Sequence, residues 1–178
     1  MSGVAADLCR AALVDRFLRP RLAAGGHQHQ GPFLPPGAAY FSAQQLADLA
    51  RDAGAYADGL AGFVHDADAY AAAPADLAAA HARAPGARPA WYFLSPPGFW
   101  RGNIPGGGEW VPQRQHRHVE AGGAAVRYAR HFFHVNAEKP LYPDGWVMVE
   151  NGIIWGGGRH GRQEELVLCE LYRARGHY

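Results

Sequence analysis

The chain has 178 residues, 48% of them hydrophobic and 19% charged, with a formal net charge of +1. That length and balance fit one globular domain, 1–178, with a core of its own, and exclude wholesale disorder. The near-zero charge argues against an electrostatic nucleic-acid binder, and no run of roughly 18 apolar residues offers a spanning helix, so no membrane is expected.

Taken in order, Val4 to about Arg19 carries apolar residues at helical spacing, ending near Pro20. Residues 25–40 read as a Gly/Pro-rich loop. Ser42 with Gln45 three residues on is a capping-box start for a second helix through Leu46, Leu49, Ala53, Leu60, Phe63 and Val64. Gly54, Gly59 and Gly62 weaken it, so a break is expected within 54–62, or else close packing there. A short third helix starts at Pro74 and stops before Pro85-Gly86. Ala90–Leu94 reads as a strand ended by Pro96-Pro97-Gly98, and 98–109 as a loop. Further strands are expected over 114–120, 126–135 and about 165–172. Trp146–Trp155 contains Asn151-Gly152 between β-forming residues, which is the signature of a type I′ hairpin turn.

Composition divides the chain in the same place. Of 34 Ala, 28 precede position 91, whereas all five Trp follow it. Ala favours helix, and Trp, Val, Tyr and Phe favour strand. The expected fold is α+β: a helical part, 1–88, packed on a curved antiparallel sheet of four to six strands, 89–178, in outline similar to the NTF2-like cone. Two cysteines, Cys9 and Cys169, make neither a metal motif nor a disulfide framework. The start has no basic n-region and no long apolar stretch, so a cytoplasmic protein is expected. Arg outnumbers Lys 16 to 1, which points to a GC-rich genome.

Ten histidines exceed the ordinary share. His27 and His29 fall in a loop, and His65 and His81 on helices, where solvated surface positions explain them. The densest group is His116-Arg117-His118-Val119-Glu120. Alternate strand residues share a face, so His116, His118 and Glu120 offer two imidazoles and a carboxylate to a divalent metal such as Zn, Fe or Mn. Three successive same-face residues span about 13 Å, so a neighbouring strand carrying His131 or His134 would have to contribute. His134 shares a face with Tyr128, Arg130 and Phe132. That set suits an anionic or oxygen-rich ligand, with imidazole as proton shuttle. Trp91, Trp146, Trp155 and Arg101 are the aromatic and cationic candidates for lining a pocket. Neither Gly106–Gly108 nor Gly156–Gly158 is followed by Lys-Ser/Thr, which removes a phosphate-cradling loop. Ser occurs only at 2, 42 and 95, with no Gly-x-Ser-x-Gly, which disfavours a serine hydrolase.

These residues support a small-molecule enzyme with His134, His131 and Arg130 as the catalytic candidates. The expected chemistry is that of a lyase, isomerase, cyclase or metal-assisted hydrolase. Two other classes compete with it. One is a non-catalytic assembly domain forming a homo-oligomer through the Ala/Gly face of residues 42–71. The other is a lysine-poor effector or toxin domain.

Overall fold

The computed structural model describes residues 3–22, 37–98, 104, 107–113, 117–119, 125–139, 142–155, 162–163 and 166–175; of 117–119, 125–126, 154–155 and 162–163 the backbone alone is described. Helix α1 spans Gly3–Leu13 and buries Val4, Asp7, Ala11 and Leu13. It runs on through a wide turn, Val14–Leu18, and a tight one, Arg19–Arg21, that contains Pro20. Leu13, Val14 and Leu18 carry this segment into the core beside Tyr92, Leu94, Ile153 and Leu168. Helix α2, Ala43–Gly59, opens on the expected capping box, with Ser42 Oγ accepting from Gln45 N–H and Gln45 returning the bond. It packs on α1, burying Ala53 and Ala57. Its glycines are not there for close approach, since a Cβ at Gly54, Gly59 or Gly62 would meet nothing within 4 Å. Helix α3 is Pro74–Ala80.

The strands are β1 (Val64–Asp66), β2 (Ala90–Ser95), β3 (Glu109–Pro112), β4 (Arg117–Val119), β5 (Ala125–Val135), β6 (Pro143–Trp155), β7 (Arg162–Gln163) and β8 (Val167–Arg173). They form one open sheet in the order β1-β2-β8-β6-β5-β3, with β4 on β5 and β7 on β6. The α+β class is as expected, but the sheet is mixed rather than antiparallel throughout. Val64 and His65, expected on the second helix, instead begin a strand whose residues 64–66 pair in parallel with β2, Val64 opposite Tyr92 and Asp66 opposite Leu94.

The expected turn at Asn151-Gly152 is also absent. Strand β6 passes straight through both residues. The reason is packing: Gly152 lies under Tyr128, whose ring a Cβ there would meet at 2.3 Å, so the glycine serves a close approach. The Asn151 amide donates across the sheet to the Leu168 carbonyl at 3.3 Å.

Alternation splits the sheet into two faces. Tyr92, Leu94, Ile153 and Leu168 face α1 and the turn after it. Phe93, Phe132, Met148, Cys169 and Leu171 face the other way, covered by Ala69, Tyr70, Leu77 and Ile104. Among the described residues, no helix is long and apolar enough to cross a membrane.

Candidate functional site

The face away from α1 and α2 gathers the unusual polar groups. Strand alternation points Tyr128, Phe132 and His134 to it, and the β5–β6 register sets Arg130 opposite Glu150. At one end, His134 Nδ1 lies 2.6 Å from Asp144 Oδ2. Asp144 stands at the start of β6, where it also accepts the Trp146 N–H through Oδ1 at 3.2 Å. The carboxylate partner makes Nδ1 the donor, so in the neutral ring the lone pair is on Nε2. His134 is 2% exposed, and Nε2 is buried without a hydrogen-bond partner among the described residues. Trp110, opposite His134 in the β3–β5 register, meets its ring edge-on at 5.1 Å. Gly108 closes the site. Its φ is +108°, and a Cβ there would lie 2.3 Å from Nε2. The glycine run read as a turn therefore also lets backbone lie against the imidazole.

At the other end sits Glu150, fully buried. Tyr70 Oη donates to its Oε2 at 2.6 Å and Gly98 N–H to the same oxygen at 3.0 Å. Its Oε1 has no hydrogen-bond partner among the described residues. Burial, then the neighbouring Cys169 and Glu150, pushes the Tyr70 hydroxyl well above its ordinary range. Burial and then Glu150 do the same to the Cys169 thiol, which lies 3.9 Å from Tyr70 Oη. Both groups are held neutral, so Cys169 is not an activated nucleophile.

Of the expected site residues, His134 and Tyr128 share this face with Arg130, whose guanidinium carbon lies 4.9 Å from the Tyr128 ring centroid. Arg130 is four residues from His134, about 13 Å along the strand. His131 belongs to the opposite face by alternation, so it does not join His134. Trp91 and Trp146 come together at 5.9 Å between ring centroids, and Trp91 Nε1 donates to the His81 carbonyl. Strand β4 places His118 opposite Tyr128 in register. That is six residues from His134, roughly 20 Å along β5, so the two mark separate places. His116, Glu120 and Arg101, and the side chains of His118 and Trp155, lie outside the described residues. Among the described residues, no group of three His, Cys, Asp or Glu is placed to hold a metal.

Sequence reasoning did not single out Asp144, Glu150 or Tyr70. Asp144 and Glu150 were visible only as two of several carboxylates. Compared with known proteins, the chain matches no family model and no curated sequence.

Proposed function

We propose that the chain is a small-molecule enzyme of the lyase, isomerase or cyclase type with His134 as its acid–base group. One observation carries this reading: an imidazole held by a carboxylate at 2.6 Å on Nδ1, with Nε2 buried and unpartnered. Asp144 fixes the tautomer and stabilises the imidazolium that forms when Nε2 takes a proton. Trp110 and Phe132 supply dry walls. Arg130, further along β5, suits the anionic end of an oxygen-rich substrate. Gly108 lies against Nε2, so turnover requires its backbone to withdraw as substrate enters.

Proton abstraction from carbon can be read without knowing the product. The protein is incubated in D2O with a panel of small ketones, 2-oxo acids and hydroxy acids, and carbon-bound deuterium is measured by mass spectrometry. Wild-type protein should catalyse exchange into a member of the panel. His134→Gln should lose about 100-fold or more of that rate, and Asp144→Asn a smaller part. Undiminished exchange in His134→Gln removes the reading, as does a wild-type protein inert across the panel.

A further inference from the structure

Two histidines read from sequence as separate surface positions are neighbours in the fold. His65 is on β1 and His81 follows α3; the parallel pairing of β1 with β2 brings them together over Phe93. Their ring centroids are 5.0 Å apart with planes tilted by 52°. Phe93 backs both, at 6.0 Å from His65 and edge-on at 5.1 Å from His81.

The hydrogen bonds fix the chemistry of each ring. His65 Nε2 lies 3.0 Å from the Ala82 carbonyl and His81 Nδ1 lies 3.0 Å from the Leu77 carbonyl. A carbonyl only accepts, so both of these nitrogens carry the proton. The neutral rings therefore hold their lone pairs on His65 Nδ1 and His81 Nε2, and neither of those atoms makes a hydrogen bond among the described residues. An imidazole whose other N–H is anchored on backbone carbonyl is oriented as metal-binding histidines are. The spacing also suits a shared ion: with Zn–N bonds of about 2.0–2.1 Å, two imidazoles on one tetrahedral ion have centroids roughly 5 Å apart. Both residues are half-buried, which leaves a path for an ion and for water.

We propose that His65 and His81 form a two-imidazole site for a late first-row divalent cation, with Zn²⁺ as its probe. Water completes the coordination, since no third side chain of the ligating kind joins the pair among the described residues. The ion would tie β1 to the end of α3.

The test uses the full chain without a tag. Zn²⁺ is titrated into wild type and into His65→Gln/His81→Gln, with heat and stoichiometry recorded by calorimetry. Imidazole ¹⁵N resonances of the wild type are followed in parallel. The expected result is one binding event fewer in the double variant, with the largest ¹⁵N changes in the wild type at His65 Nδ1 and His81 Nε2. Zn²⁺ should raise the thermal midpoint of wild type more than that of the double variant. Equal stoichiometry and affinity in the two proteins overturns the site. So do ¹⁵N changes confined to other histidines, a readout that decides the matter even if the double variant does not fold. Neither outcome bears on His134, which lies in a separate part of the same face.

Discussion

On the face under α1, Glu170 is 5% exposed and meets Arg88 at 2.5 Å, with the guanidinium carbon of Arg88 3.6 Å from the Tyr172 ring centroid. On the opposite face, Glu150 is fully buried, its partners are a hydroxyl and a backbone N–H on one oxygen, and the other oxygen has none. The two carboxylates are on neighbouring strands of one sheet. The first is arranged as a folding contact, because its charge is answered by a cation. The second retains a polar atom that an apolar side chain would not leave unsatisfied, at a cost of about 1–3 kcal/mol for an unmade hydrogen bond. His134 Nε2 on the same face has the same character. Two such atoms, Glu150 Oε1 and His134 Nε2, on the same face are what a site kept for a ligand requires, since function often retains residues that stability would replace.

The largest effect is expected at Gly108. Gly108→Ala places a methyl 2.3 Å from His134 Nε2 at a φ of +108°. It should cost on the order of 3 kcal/mol in urea denaturation, from overpacking and left-handed strain together. A loss under about 1 kcal/mol would mean that Gly108 does not press on the imidazole.

Next in size are the partners of the two carboxylates. Tyr70→Phe leaves buried Glu150 with one donor and should cost about 2 kcal/mol. Arg88→Met removes a partner that is itself 47% exposed, so water takes over part of its role and the cost should be about 1 kcal/mol or less. If Arg88→Met proves the more damaging, the contrast between the faces fails.

Alkaline stability compares the faces through their tyrosines. Burial is the largest cause raising Tyr70 and Cys169 on one face and Tyr92 on the other, where Glu170 and the Tyr56 hydroxyl at 3.1 Å add to it. The unfolded chain gives up these protons near the ordinary values of 9.0 for the thiol and 10.0 for the phenols, while the folded chain keeps them. Unfolded protein then binds fewer protons, so stability must fall as pH rises through that window and be fully present below it. Tyr70→Phe and Tyr92→Phe should each make the fall shallower in chemical denaturation at pH 8 to about 11. An unchanged slope in either variant would show that its phenol ionises freely in the folded state.

The smallest effect belongs to a glycine on neither face. Gly54→Ala, in α2 with open space around it, should stabilise by about 0.5–1 kcal/mol. Thermal denaturation beside Gly108→Ala would show the same substitution acting in opposite directions.

What was legible in the sequence was local. The Ser42–Gln45 box, Pro74 at the head of α3 and the apolar runs of β2 and β8 each carry their reason within a few residues. His134 could be assigned a face beside Phe132 because strand alternation needs no partner. Strand β1 could not be read that way: it has three residues, and the strand it pairs with, β2, is far along the chain. Asn151-Gly152 misled because the dipeptide that suits a tight turn also suits a strand crossed closely by Tyr128 and bonded through an amide. Asp144, Tyr70 and the His65–His81 pair depend on contacts between distant segments, which no periodicity records.

The strand order also governs assembly in time. Strand β8 lies between β2 and β6, joining the part of the sheet nearest the N-terminus to the β5–β6 pair. It is made after the other described strands. Until residues 167–173 have left the ribosome, β2 and β6 have no common neighbour, and Phe93 and Met148 lack the Cys169 and Leu171 that they share a core with. Such long-range pairing slows folding and leaves strand edges open meanwhile. During synthesis the nascent chain therefore presents two unfinished half-sheets, a state in which a chaperone would find more to hold than in the finished protein.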